Sequence, residues 1–127
     1  MQTLLLVATG GATGAVLRYL LGVQTLRAFG TGWPYGTLAA NVAGGFLMGV
    51  LAGTLALRGG ADQEKWRLLL GVGVLGGFTT FSAYSLEVAL MIERREWASA
   101  MAYSLGSVVL SVAALFASLM LTRRILA

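Results

Sequence analysis

The residues best suited to chemistry lie in one short stretch, GVLGGFTTFSAYSLE, at positions 73–87. It places glycines, hydroxyl groups and three aromatic rings where a helix buried in lipid would carry plain aliphatic side chains. Gly76 and Gly77 weaken a helix, and Thr79 and Thr80 add little helical preference beside them. The stretch therefore predicts either a break in the helix or a glycine-softened continuous helix packed on a neighbour.

A break would release backbone carbonyl groups at membrane depth. Irregular backbone is tolerated there only where it is buried in protein or lines water. Freed carbonyl oxygens are hard ligands that suit an alkali cation, as in other discontinuous membrane helices. The broken form thus predicts a cation site within 73–87, and the continuous form predicts none.

A second candidate group lies in TLAANVAGG, at positions 37–45. Thr37 and Asn41 stand one helical turn apart and share a face. Asn41 is the only asparagine of the chain and falls within an apolar segment. Because its amide carries two donors, Asn41 either faces a permeating anion or makes a hydrogen bond between helices.

Two periodic stripes complete the candidate residues. One stripe carries hydroxyl groups every four residues: Ser99, Tyr103, Ser107 and Ser111. A single serine often bonds back to its own helix, but four in register favour a polar track. The other stripe is aromatic, with members three apart: Phe78, Phe81 and Tyr84. These rings either pack in the core or turn their positive edges toward a small anion.

Two ionisable residues stand inside apolar segments. Arg18 either reaches to the membrane interface or raises the anion concentration in a vestibule. Glu87 either caps a polar track or pairs with a cation. Charged residues within a membrane segment are functional candidates by default.

The elements that must position these residues are membrane helices. Of the 127 residues, 57% are hydrophobic and 11% are charged, against about 25% charged in an average soluble domain. Each of four long apolar stretches approaches or exceeds the roughly 20 residues needed to cross a bilayer. The composition predicts an all-α membrane protein with one domain at 1–127 and four spans: Leu4–Leu26, Tyr35–Leu57, Leu68–Ile92 and Trp97–Leu121.

Composition also excludes several classes of function. The chain has no cysteine and no histidine, so it lacks thiolate sites and the usual neutral-pH proton shuttle. The net charge of +4 is spread over loops and helix ends, which fits membrane anchoring better than nucleic-acid binding. No nucleophile–base pair or metal-ligand cluster supports catalysis, so we expect no enzyme.

Basic residues give only a weak orientation bias. Four spans put both termini on one side of the membrane, and that side carries five basic residues against three on the other. Arg18 lies within a span and is left out of this count. The bias is compatible either with insertion in both orientations or with one orientation set by weak cues.

Glycines four residues apart form small faces on three spans: Gly10/Gly14, Gly45/Gly49/Gly53 and Gly73/Gly77. Such faces allow close approach of helices in lipid. They serve packing within one subunit or between subunits, and their number favours a homodimer.

The donors and aromatic edges suit a desolvated anion better than a cation or a proton. A small proton-coupled multidrug exporter is the main alternative, but its mechanism needs a carboxylate in the first span, and Leu4–Leu26 has none. A non-transporting membrane scaffold would explain the glycines but not aligned donors in three spans.

Three motifs in order, GGATGAVLRY (10–19), GTLAANVAGGFLMG (36–49) and GGFTTFSAYSLE (76–87), make the chain resemble the Fluc (CrcB) fluoride channels over nearly its full length. The resemblance implies fluoride export across the cytoplasmic (inner) membrane by passive permeation. It also implies an antiparallel, dual-topology homodimer with two pores. A structural sodium ion (Na+) at the dimer centre would be held by backbone carbonyls of the broken third helices.

By motif position, the resemblance assigns those sodium-binding carbonyls to Gly76 and Thr79. It assigns Arg18 to the vestibule. The pore residues it implies are Asn41, Phe81, Tyr84, Tyr103, Ser107 and Ser111, to which the shared face with Asn41 adds Thr37. Tyr84 departs from the family, which has phenylalanine there, so its hydroxyl is an additional group in the expected pore.

Overall fold

The computed structural model of the chain describes residues 1–30, 33–58 and 60–126. Parts of two predicted connections, at 31–32 and 59, and the last residue of the predicted domain lie outside the described residues. The helices in chain order are α1 Gln2–Phe29, α2 Tyr35–Arg58, α3 Gln63–Trp66, α4 Gly76–Phe78, α5 Phe81–Glu93 and α6 Trp97–Leu126.

Four predicted membrane spans are confirmed as helical segments long and apolar enough to cross a bilayer. They are Gln2–Phe29, Tyr35–Arg58, Gly60–Glu93 and Trp97–Leu126. The second and fourth begin at the predicted residues. The second begins just after Pro34, whose fixed φ angle favours the start of a helix.

The third span, Gly60–Glu93, is built from several pieces. A 3₁₀ turn and α3 lead into a π-helical segment, Arg67–Leu75, which continues into the short α4. Thr79 (φ −86°, ψ 156°) and Thr80 (φ −152°, ψ 123°) then adopt extended backbone. We call these two residues the extended segment; it separates the end of α4 from the start of α5.

The glycine faces pack against other helices of the same chain. In α1, a methyl group added at Gly14 would collide with the carbonyl oxygen of Val74, and one added at Gly10 would collide with that of Leu69. In α2, added methyl groups would meet α6 backbone at Gly45 and Gly49 and the Thr122 side chain at Gly53. The glycines therefore bring α1 against the third span and α2 against α6, and they supply no argument for a second subunit.

A cluster of buried apolar side chains lies where α5 meets α6. Met91, Ala100 and Tyr103 form this cluster, and Tyr103 has no exposed surface. Trp33 and Tyr84 pack against it. This packing fixes the side of α6 that carries the hydroxyl stripe.

Candidate functional site

A groove of about 410 Å³ runs between α2, α5 and α6 beside the extended segment. It brings together six residues that the sequence predicts for ion binding: Asn41, Thr79, Phe81, Tyr84, Ser107 and Ser111. Thr80 also lines the groove, in addition to the residues that the sequence predicts for the site. Three separate spans thus contribute polar groups to one surface at membrane depth.

Two serines of α6 present unpartnered hydroxyl groups in this groove. The Oγ atoms of Ser107 and Ser111 are buried and have no hydrogen-bond partner among the described residues. Neither serine therefore makes the back-bond to its own helix that was the alternative interpretation. A buried hydroxyl without a partner is costly, so these two groups are available to a guest in the groove.

Asn41 bonds to both backbone groups of Thr80. Its Oδ1 accepts from the Thr80 N–H at 2.9 Å, and its Nδ2 donates to the Thr80 carbonyl at 3.3 Å. The backbone N–H can only donate and the carbonyl can only accept, so these two bonds fix the orientation of the amide. The amide nitrogen carries a second N–H, so Asn41 can bond Thr80 and still offer a donor to the groove.

The extended segment changes the hydrogen bonding of nearby carbonyl groups, including those of Gly76 and Thr79. In an uninterrupted α-helix, the N–H of Thr80 would donate to Gly76 and that of Ala83 to Thr79. Instead, Thr80 donates to Asn41, and Ala83 donates to the Thr80 hydroxyl at 3.1 Å. The carbonyl oxygens of Gly76 and Thr79 thus lack their helical donors, and such oxygens fit an alkali cation.

Arg18 lies against the third span. Its Nε donates to the carbonyl of Gly77 at 3.3 Å. Arg18 is not among the residues that line the groove. Within one chain, it therefore acts on the backbone of α4.

Aromatic rings connect the groove to the interior. The ring centroids of Phe81 and Tyr84 are 5.4 Å apart, and those of Tyr84 and Tyr103 are 5.5 Å apart. Phe81 is 78% exposed, so it is no core residue of the chain. The Tyr84 hydroxyl donates to the carbonyl of Ser104 at 3.2 Å, and this bond uses its proton.

A second polar group, the Glu87 cluster, consists of Glu87, Thr37 and Tyr103. The hydroxyl of Thr37 donates to Glu87 Oε1 at 2.6 Å, and the hydroxyl of Tyr103 donates to Oε2 at 2.7 Å. Charge-assisted bonds to a carboxylate are stronger than neutral ones. The structure therefore places Thr37 and Tyr103, both predicted pore residues, in a cluster whose hydroxyl protons are already used.

A cavity of about 360 Å³ opens above this cluster. Thr37 and Glu87 form part of its lining, together with Trp33 and Arg94. The ring of Trp33 meets that of Tyr103 edge to face, with centroids 5.3 Å apart and planes at 78°. Trp33 is not predicted as a site residue from the sequence, because it lies in the connection before α2 and belongs to neither periodic stripe.

Comparison with known proteins finds one matching family model and several similar chains. The family model described as "CrcB-like protein, Camphor Resistance (CrcB)" matches residues 5–119. The chain is 76% identical over 127 residues to the fluoride-specific ion channel FluC of Phenylobacterium zucineum (strain HLK1), covering all of both chains. It is 67% identical over 125 residues to a protein of the same name from Caulobacter sp. (strain K31), covering 98% of each chain.

Proposed function

Because this chain belongs to the CrcB family, we propose that it is a fluoride-selective ion channel that lets fluoride leave the cell across the cytoplasmic membrane. The observation that carries this proposal is the pair of buried, unpartnered hydroxyl groups of Ser107 and Ser111 in the groove. A small anion would accept hydrogen bonds from both. The protein would act by passive permeation and not as an enzyme.

The groove suits a desolvated anion for a second reason. Its donors are hydroxyl and amide groups, and none of its described lining residues is charged. Neutral donors and the positive edges of Phe81 and Tyr84 can replace part of a hydration shell. A full positive charge would hold the anion more tightly and slow its departure.

We propose further that two copies assemble as an antiparallel homodimer with two pores. The groove opens at the side of the single chain, and Phe81 at its edge is largely exposed. Polar side chains and extended backbone cannot face lipid tails without cost. A second copy over the groove would cover these groups and convert each open groove into an enclosed path.

The dimer would also complete a cation site. Gly76 and Thr79 offer two carbonyl oxygens from one chain, and these leave most of a cation's coordination sphere open. The same atoms from a second copy would double the number. We propose that these carbonyls hold a structural sodium ion. Its positive charge would offset the repulsion between the carbonyl oxygens that the two copies present to each other.

Fluoride efflux from liposomes tests the main proposal. We expect purified protein to release fluoride and to retain chloride in a parallel assay. Replacing both groove serines, Ser107→Ala with Ser111→Ala, should slow fluoride release by roughly tenfold or more, since each lost hydrogen bond is worth about 1 kcal/mol. Ser118→Ala is the matched control, because the Ser118 hydroxyl bonds to the Leu115 carbonyl and lies outside the groove.

Two results would contradict the proposal. Absence of fluoride release by the folded wild-type protein would reject the channel function. Wild-type rates in the double serine variant would reject the groove as the path. The antiparallel dimer has its own test: a tag after α6 should be reachable from both faces of the membrane in comparable amounts, and labelling from one face alone would rule it out.

A further inference from the structure

We propose that Asn41 and Thr80 are positioning residues, whose side chains keep the carbonyl oxygens of Gly76 and Thr79 free to bind a cation. The inference rests on the sodium site of the proposed function. It adds to that site two side chains that do not themselves touch the ion, one of them from a different membrane span.

Asn41 acts on the first of the two oxygens. The Thr80 N–H is the group that would close the helix on the Gly76 carbonyl, and Asn41 Oδ1 accepts its hydrogen bond at 2.9 Å instead. The same amide donates to the Thr80 carbonyl at 3.3 Å. Asn41 thus releases Gly76 and at the same time occupies the oxygen of Thr80.

Thr80 acts on the second oxygen through its side chain. Its hydroxyl accepts from the N–H of Ala83 at 3.1 Å and caps the start of α5. Ala83 is the residue whose N–H would reach the Thr79 carbonyl in a continuous helix. The cap therefore stabilises α5 and releases Thr79 with one hydrogen bond.

Three of the neighbouring carbonyl groups have donors of their own. The Leu75 carbonyl accepts from the N–H and the hydroxyl of Thr79, at 3.0 and 2.9 Å. The Gly77 carbonyl accepts from Arg18. Gly76 and Thr79 are thus the two oxygens that Asn41 and Thr80 set free, while the carbonyls of Leu75, Gly77 and Thr80 are occupied.

Asn41 consequently belongs to two sites. It lines the groove proposed for fluoride, and it holds the backbone proposed for sodium. The acceptor atom Oδ1 serves the cation site, whereas the remaining N–H of Nδ2 is the group that can meet an anion. Substitutions that remove one function and keep the other can therefore separate the two roles.

The test measures thermal unfolding of the purified dimer in detergent, in sodium chloride and in N-methylglucamine chloride. Wild-type protein should melt at a higher temperature in sodium. Asn41→Leu keeps the size but has no acceptor, so the sodium-dependent shift should vanish. Asn41→Asp keeps an acceptor for the Thr80 N–H, so the shift should persist even where fluoride flux is lost.

A second pair of variants tests Thr80 independently. Thr80→Val removes the hydroxyl and should abolish the sodium shift, and Thr80→Ser should restore it. Thr13→Val is the matched control, because the Thr13 hydroxyl bonds back to Thr9 on the exposed side of α1. If the Asn41 variants do not fold, the Thr80 pair decides.

The measurements distinguish the positioning role of Asn41 and Thr80 from the cation site and from the channel function. A wild-type protein with fluoride flux but no sodium shift would overturn the cation site and this inference together, while leaving the channel intact. A sodium shift that survives in Asn41→Leu or in Thr80→Val would overturn the positioning role of that residue alone. Loss of the shift in both, with retention in Asn41→Asp and Thr80→Ser, is the expected result.

Discussion

The groove and the Glu87 cluster are built from similar side chains but differ in how their hydrogen bonds are used. In the groove, Ser107 and Ser111 of α6 have buried hydroxyls with no partner among the described residues. In the cluster, Thr37 and Tyr103 each donate to one oxygen of the same carboxylate. Two serine hydroxyls of the groove are thus free to donate, whereas both hydroxyl donors of the cluster are already used.

This difference indicates which polar groups can serve an ion. Groups that satisfy one another hold helices together, because breaking the set exposes an unpaired charge or donor. A buried donor without a partner lowers the stability of the folded protein, and an ion that accepts its hydrogen bond can restore that stability. Substitutions in the groove should therefore act mainly on transport, and substitutions in the cluster mainly on stability.

The largest effect is expected for Asn41→Asp at the groove. The change preserves shape but gives the groove a negative charge and removes amide donors. Two like charges about 4 Å apart repel by about 4 kcal/mol at an effective dielectric constant of 20, so fluoride release should fall by more than roughly tenfold. Liposome efflux measures this, with gel filtration to check assembly. Release at the wild-type rate would remove Asn41 from the path.

Glu87→Gln, in the Glu87 cluster, should lower the stability of the protein more than it lowers fluoride release. Glutamine replaces one carboxylate oxygen by an NH2 group, which cannot accept from a hydroxyl, and removes the charge that strengthens both bonds. We therefore expect the free energy of unfolding to drop by about 1.5–3 kcal/mol. Thermal unfolding in detergent provides the measurement. Glu93→Gln, at the exposed end of α5, should change little. Equal unfolding temperatures of the two variants would mean that the Glu87 cluster does not contribute to the stability of the protein.

Phe81→Ile tests whether an aromatic edge matters in the groove. Isoleucine retains apolar bulk without a quadrupole, and aromatic contacts of this kind are worth about 0.5–1.5 kcal/mol. Fluoride release should therefore slow by about two- to tenfold. The dimer should remain assembled on gel filtration. Transport equal to wild type would make Phe81 a packing residue.

The smallest effect is expected for Tyr84→Phe, at the boundary between the two regions. The ring contacts to Phe81 and Tyr103 stay, and only the bond to the Ser104 carbonyl is lost. Stability should fall by about 1 kcal/mol or less, with fluoride release nearly unchanged. A severe loss of release in folded protein would identify the Tyr84 hydroxyl as a donor to the anion.

The four spans could be predicted from the sequence alone, and so could the shared face of Ser107 and Ser111. Long apolar runs identify membrane helices because lipid leaves few other options. The four-residue spacing of Ser107 and Ser111 placed them on one face, and the structure brings that face to Asn41 and Phe81. Helical periodicity therefore predicted which residues of one span share a surface.

Partners across spans could not be predicted in the same way. Nothing in the order of residues indicates that Asn41 would reach the backbone of Thr80, or that Thr37 and Tyr103 would share Glu87. The glycine faces illustrate the same limit, because their spacing permits close approach without naming the partner. Thr80 could not be predicted for a related reason. Its side chain caps α5, and a capping residue can be recognised only once the first residue of the helix is known.

The edge-to-face contact between Trp33 and Tyr103 gives the protein an optical consequence. Trp66 and Trp97, the other two tryptophans, are 49% and 62% exposed, whereas Trp33 is half-buried beside the hydroxyl that binds Glu87. Replacing both exposed tryptophans by phenylalanine would leave one fluorophore, whose emission depends on the polarity around that ring. Any rearrangement of Glu87 that moves the Tyr103 ring would then change the fluorescence of Trp33, without an attached label.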